Sequence, residues 1–397
     1  MFTAINITPL VRYIPSFDPT GEYAGIKAAV FDGMPRNGRK TAVFAYIGIP
    51  EQATALQRVP GIVLMHGGGG HAFLQWVKMW RDRGYAAIAI DNTGYFPMER
   101  DAADDRWSYG IPESLNDGTY TNAPDNDGMS SSAGRVEDMW MYHAVSQAIL
   151  AGNVLRSLPE VEGGKVGITG ISWGGVITSI AIGEDNRFAF AVPVYGSGYL
   201  GEALSWMKDN FASPATRALW SAEDKFDKVD MPVLWQCWND DSCFSVNSVS
   251  KSYLDTVKNN PRTRICMRNE MMHSHVHGWL PPESMLFADS VVCGGEQLTC
   301  LAKQPSGRDI SLPVNNYDGA SVTALLYYIN EKMTYSIHEK YGYSATFMDQ
   351  QWQTAPLEVN GGTVCGRVPD GASGYYIELR AAKDGREYVT TSVFTEL

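Results

Sequence analysis

Cysteine is scarce in this chain, with six in 397 residues and no Cys-x-x-Cys pair. That supply is too thin for a disulfide scaffold, and most of the thiols are expected to be reduced. Basic residues are also outnumbered: 32 Lys plus Arg stand against 44 Asp plus Glu, a net charge of -12, with no Lys/Arg run. Nucleic acid and anionic membrane surfaces are therefore poor partners. No apolar run reaches the ~18 residues that a membrane span requires. The opening segment, Met1 to Pro15, lacks the basic and then continuously apolar pattern of a signal peptide, so the expected location is the cytoplasm.

What is abundant is apolar and aromatic. Hydrophobic residues make up 44% of the chain, with 11 Trp and 20 Tyr, enough for two cores and an aromatic-lined cleft. Two β-rich runs, Lys27 to Phe31 and Thr41 to Ile47, are separated by Asp32-Gly33 and Asn37-Gly38 and predict an antiparallel hairpin. From Pro60 short apolar strands alternate with helical segments. Ile62 to Met65 is a strand, 72 to 83 a helix closed by Gly84, and Tyr85 to Ile90 the next strand.

After a polar stretch at 95–134, read as a loop or cap, the alternation resumes. A helix is expected at 136–155, strands at Val166 to Thr169 and Phe188 to Val194, and a helix after Trp173. Later strands fall at Val233 to Cys237 and Thr263 to Arg268, with a helix at 282–292. Continuously apolar strands between helices imply a mostly parallel, doubly wound sheet covered on both faces. Beyond Gly294 the helical period fades into short Val/Thr/Tyr-rich runs parted by Asp-Gly turns. The fold class is α/β, with domains at 1–304 and 305–397, the second a small all-β sandwich-like domain.

The strongest local signal is Gly170-Ile171-Ser172-Trp173-Gly174-Gly175, which follows a strand and precedes an apolar helical run. A turn this tight leaves no room for side chains beside the serine, so the glycines suit a nucleophile elbow with Ser172 at its apex. Upstream, His66-Gly67-Gly68-Gly69-Gly70-His71 follows the early strand. Its bare backbone N–H groups suit an oxyanion hole, with Gly68 the first choice and Gly69 next; the Trp173 N–H is the partner donor. A phosphate-binding loop would end in Gly-Lys-Ser/Thr, which is lacking here.

The acid and base must follow the serine. Asp240 and Asp241 both lie beyond the strand ending at Cys237, where an open α/β sheet builds its site. The histidines left for the base are His273, His275 and His277. Their alternate spacing could also hold a metal on one strand face, but nearby carboxylates are few and no metal site is assigned.

With these residues in place, residues 27–294 resemble α/β-hydrolase esterases of the acetylxylan esterase and cephalosporin-C deacetylase type, together with dienelactone-hydrolase-like and prolyl-oligopeptidase-like enzymes. The resemblance rests on His66-Gly67, Gly170 to Gly175, Pro232 to Asp241 and His273. It implies the α/β-hydrolase fold with a Ser172, His273 and Asp241 triad. Position relative to the last strands selects Asp241 over Asp240 and His273 over His275, although Trp238 and Met272 stand where such enzymes commonly carry glycine.

The implied reaction is cofactor-free acyl transfer on a small-molecule or carbohydrate ester of a short acyl group. Two other readings belong beside it. A peptidase or amidase would use Glu99, Asp101, Asp104 or Asp105 to fix a substrate amine. A non-catalytic carbohydrate-binding protein would use the C-terminal domain, which could instead cover the hydrolase domain or join copies into a homo-oligomer.

Overall fold

A computed structural model describes residues 2, 5–97, 107–125, 134–205, 207–319, 322–333, 335–340, 343–348 and 351–397. The chain divides into two compact units, Met1–Ala191 with Ala218–Trp220, and Val192–Arg217 with Ser221–Leu397.

The first unit opens with β1 (Val11–Tyr13), β2 (Lys27–Arg36) and β3 (Arg39–Gly48). The β2–β3 hairpin turns at Asn37-Gly38, both at positive φ (52° and 76°), as a two-residue turn matched to strand twist requires. Asp32-Gly33 is not a turn; it lies inside β2, where the register with β3 shifts between Asp32 and Pro35. Then come β4 (Val59–Met65), α1 (Leu74–Asp82) and β5 (Ala86–Ile90), whose five residues are all buried. In the 95–134 segment, β6 (Tyr95–Pro97) pairs antiparallel with β7 (Trp107–Tyr109), and β8 (Tyr120–Asn122) runs parallel to β3.

Helix α2 (Trp140–Ser157) buries 15 of its 18 residues, which is why its sequence is apolar around most of its circumference. Strand β9 (Val161–Ile171) and helix α3 (Trp173–Glu184) follow. In this unit β4 lies between β5 and β9, parallel to both, so that Met65 pairs with Ile90 on one side and Gly170 on the other.

The chain enters the second unit along β10 (Ala191–Val194). Helices α4 (Met207–Asn210) and α5 (Pro214–Trp220) precede β11 (Leu234–Trp238), α6 (Val246–Asn259) and β12 (Arg264–Arg268). Strand β11 runs parallel to both β10 and β12. Helices α7 (His275–Trp279) and α8 (Glu283–Val292) complete the α/β part.

The rest is antiparallel and all-β. It comprises β13 (Cys300–Leu301), β14 (Asp309–Asn315), β15 (Thr323–Ile329), β16 (Tyr335–Lys340), β17 (Tyr343–Met348), β18 (Gln353–Asn360), β19 (Thr363–Arg367), β20 (Gly374–Lys383), β21 (Arg386–Thr391) and β22 (Thr395–Glu396). Eight of these strands join in one sheet, and β16 pairs with β17 apart from it.

Within the second unit the all-β strands pack on the last parallel strand. Glu283, fully buried, accepts from Arg268 Nη2 at 2.7 Å and Nε at 3.2 Å and from the Val389 N–H at 2.6 Å. Burial lowers the Arg268 pKa, and the Glu283 carboxylate more than reverses this, leaving it raised. Glu283→Ala leaves that guanidinium without its counterion and the Val389 N–H without an acceptor. We expect a loss of about 3–5 kcal/mol, read as a lower urea-unfolding midpoint.

Candidate active site

In the first unit, Ser172 sits between β9 and α3 as the helix N-cap, with φ 59° and ψ -119°. A serine in that region is strained, and such strain persists only where the surroundings impose it. Those surroundings are visible at the two glycines. A Cβ on Gly170 would lie 2.1 Å from the Gly174 carbonyl oxygen, and one on Gly174 would lie 2.0 Å from the Met65 oxygen and 2.7 Å from that of His66. Both obstacles are backbone and cannot rotate away. Gly174→Ala is therefore expected to cost about 3 kcal/mol or more, measured as a drop in thermal midpoint.

The same approach seats the glycine loop beside the elbow. His66 is buried; its Nε2 accepts the Asn92 N–H at 3.1 Å, so Nδ1 carries the ring proton and faces the Gly67 oxygen at 2.8 Å. Burial lowers the His66 pKa to about 4, against the opposing pull of the Gly67 carbonyl. The ring is thus a neutral anchor for the Gly67–Gly68 peptide. Because that peptide is planar and trans, fixing the Gly67 C=O points the Gly68 N–H the opposite way. The Gly70 N–H also donates to Gly67, at 3.1 Å, in a turn with Gly69 at φ 68°. Gly68 and Gly69 are left exposed at the tip.

Trp173 is the first residue of α3, where a backbone N–H has no intrahelical acceptor. Its indole meets that of Trp140 edge-on at 5.7 Å. Trp140 is core, and its Nε1 donates to the Asn92 oxygen at 2.8 Å. Tyr142 stacks on Phe2 and Trp107 on His71. Of the acids considered for amine binding, Glu99, Asp101, Asp104 and Asp105 lie outside the described residues.

In the second unit, Asp241 follows β11 through a tight turn closed by its N–H to the Trp238 oxygen. Its buried carboxylate is held on both sides. Oδ1 accepts the N–H groups of Cys243 (2.7 Å) and Phe244 (3.0 Å), and Oδ2 meets His273 Nδ1 at 2.8 Å. Of the two neighbouring aspartates, Asp241 is the one hydrogen-bonded to His273.

The His273 ring lies against Tyr195 (4.6 Å between centroids) and parallel to Phe244 (6.0 Å), and the Tyr195 hydroxyl donates to the Met272 oxygen at 2.7 Å. Burial lowers the His273 pKa, but the charge and hydrogen bond of Asp241 outweigh it and the net shift is upward. Sequence reasoning missed Tyr195 and Phe244. Tyr195 could have been found as the first residue beyond β10, at the C-terminal edge of a parallel strand.

The other two histidines are placed differently. His275 begins α7, and Ser274 caps that helix by accepting the His277 N–H at 3.1 Å while its hydroxyl meets His277 Nδ1 at 2.7 Å. The His-x-His-x-His spacing is therefore not a strand face. Among the described residues, Asp241, Cys243 and His273 bring one carboxylate oxygen, one sulfur and one ring nitrogen within 4.8 Å of one another.

A serine forced to positive φ between a parallel strand and a helix, on strands covered by helices, belongs to the α/β-hydrolase class. Residues 43–278 match the Dienelactone hydrolase family, and the chain belongs to that family of hydrolases. No curated protein matches it. Among solved structures, an acetyl xylan esterase from Paenibacillus sp. R4 is similar over 71% of this chain and 88% of its own, at 18% identity and TM-score 0.50. Acetyl Xylan Esterase 1 from Thermoanaerobacterium sp. JW/SL YS485 is similar over 72% and 89%, at 14% identity and TM-score 0.48. A puromycin-hydrolyzing peptidase of Mycobacterium tuberculosis is similar over 70% of this chain and 41% of its own, at 16% identity and TM-score 0.48. No helix among the described residues is long and apolar enough to cross a membrane.

Proposed function

We propose that the protein is a serine carboxylic-ester hydrolase acting on short acyl esters of carbohydrates or small molecules, with Ser172, His273 and Asp241 as its triad. The observation that carries the reading is the strained Ser172 at the head of α3, walled in by backbone at Gly170 and Gly174. His273 Nε2 takes the serine proton as Oγ attacks the ester carbonyl, and Asp241 holds the Nδ1 proton so that Nε2 is the basic nitrogen. The N–H groups of Gly68 and Trp173 receive the oxyanion. His273 then gives its proton to the leaving alcohol, and water, deprotonated by the same ring, releases the acid.

An acetyl group is the first acyl group to test, because the similar Paenibacillus structure is an acetyl xylan esterase. The purified protein should hydrolyse p-nitrophenyl acetate and acetylated xylo-oligosaccharides and leave aminoacyl-p-nitroanilides intact. Hydrolysis of the anilides without the esters would overturn the ester assignment.

The raised His273 pKa fixes a pH dependence. The ring must be neutral to accept a proton, so kcat/KM should climb with pH through a midpoint above the ordinary imidazole value of about 6.5. Stability runs the other way. The raised pKa contributes stability fully below the unfolded value, and that contribution is lost as pH rises through the folded one. A pH–rate profile with its midpoint below the ordinary value would contradict this.

A further inference from the structure

The acid–base pair has a third neighbour that ester hydrolysis does not use. Cys243 lies two residues after Asp241, on the turn whose backbone N–H groups hold the carboxylate. Its sulfur shares a 4.8 Å cluster with an Asp241 oxygen and a His273 ring nitrogen. Asp241 is buried, while Cys243 and His273 are half-buried and reachable from solvent.

We propose that Asp241, Cys243 and His273 form a reversible inhibitory site for a zinc-class divalent cation. As inhibition, it rests on the ester-hydrolase reading; as a binding site, it stands without it. Thiolate, imidazole and carboxylate are the donors zinc prefers, and three protein ligands leave the fourth tetrahedral position to water. Magnesium and calcium favour all-oxygen shells and are not expected to compete. Zinc bonds of about 2.0–2.3 Å set tetrahedral ligand atoms about 3.3–3.8 Å apart, so the 4.8 Å cluster has to close by about 1 Å when the cation binds.

Binding has a defined proton balance. The Cys243 thiol gives its proton to solvent as sulfur takes the metal. His273 presents Nδ1 to the cation in place of its hydrogen bond to Asp241, and the Nδ1 proton moves by way of solvent to Nε2. The ring stays neutral, yet Nε2 now bears hydrogen and cannot accept the serine proton. One proton is released per cation bound.

Cobalt(II) is the probe, because thiolate ligation gives it a near-ultraviolet charge-transfer band that does not depend on turnover. Full-length Ser172→Ala protein titrated with cobalt should show the band. Adding Cys243→Ser should abolish it, and adding His273→Ala in place of Cys243→Ser should weaken it. A missing band, or one that survives Cys243→Ser in folded protein, overturns the site.

In parallel, zinc should inhibit p-nitrophenyl acetate hydrolysis by the unmodified protein, and a chelator should restore it. Cys243→Ser should require at least about tenfold more zinc for the same inhibition. Equal inhibition of both proteins overturns the switch. If no hydrolysis is found at all, the ester-hydrolase reading fails, while the cobalt band still decides the metal site.

Discussion

Replacing Ser172 with alanine is expected to lower kcat for p-nitrophenyl acetate by about 10⁵–10⁶-fold, the scale on which a triad loses its nucleophile. Without Oγ there is no acyl-enzyme, and what remains is the oxyanion site acting on water. The backbone adds a second readout. Ser172 holds φ at 59°, which alanine tolerates no better but glycine adopts freely. Ser172→Gly should thus be as inactive as Ser172→Ala, yet more stable by about 1 kcal/mol, seen as a higher urea midpoint. A glycine variant less stable than the alanine one would mean that the elbow is not strained.

Asp241→Asn is expected to lower kcat by about 10⁴-fold with little change in fold. The asparagine oxygen still accepts the N–H groups of Cys243 and Phe244, which lie 2.7 and 3.0 Å from the native carboxylate. Its amide NH₂ then faces His273 Nδ1, which must accept rather than donate. The ring adopts the other tautomer, and Nε2 carries the proton it ought to receive. With the carboxylate charge gone, only burial acts on the imidazole, so the pH–rate midpoint should fall below the ordinary value. Asp240→Asn is expected to retain most activity, because the hydrogen bond to His273 comes from Asp241. A larger loss at Asp240 than at Asp241 would reverse the assignment.

Ser172 was legible because its two glycines, the strand before and the helix after lie side by side in the sequence, although the Met65 and His66 carbonyls that crowd Gly174 do not. The proposed acid and base were narrowed by strand ends but not resolved by spacing. What separates Asp241 from Asp240 is a turn that turns one carboxylate inward, and what separates His273 from His275 is a cap at Ser274 that starts a short helix.

Helix α6 escaped the sequence reading for a physical reason. Its buried face sets Ser248, Ser250, Ser252 and Thr256 among Val246, Val249 and Tyr253, so the hydroxyl residues packed into the protein thin out the apolar period. Thr256 there receives the Trp235 indole N–H at 2.8 Å, a polar contact that hydropathy does not register. Strand β18 escaped likewise: it alternates between exposed and half-buried positions and carries Pro356, which reads as a break. The change near Gly294 from helical to β-rich pattern was legible because turn dipeptides mark it, and there the strands turn from parallel to antiparallel.

The central claim is that Ser172 is a nucleophile made reactive by the native fold. Treating the folded protein with a fluorophosphonate and mapping the adduct by peptide mass spectrometry tests it most directly. One phosphonyl group should sit on Ser172, and it should be lost when the protein is heat-denatured before treatment. No adduct, or an adduct on a different serine, would contradict the account.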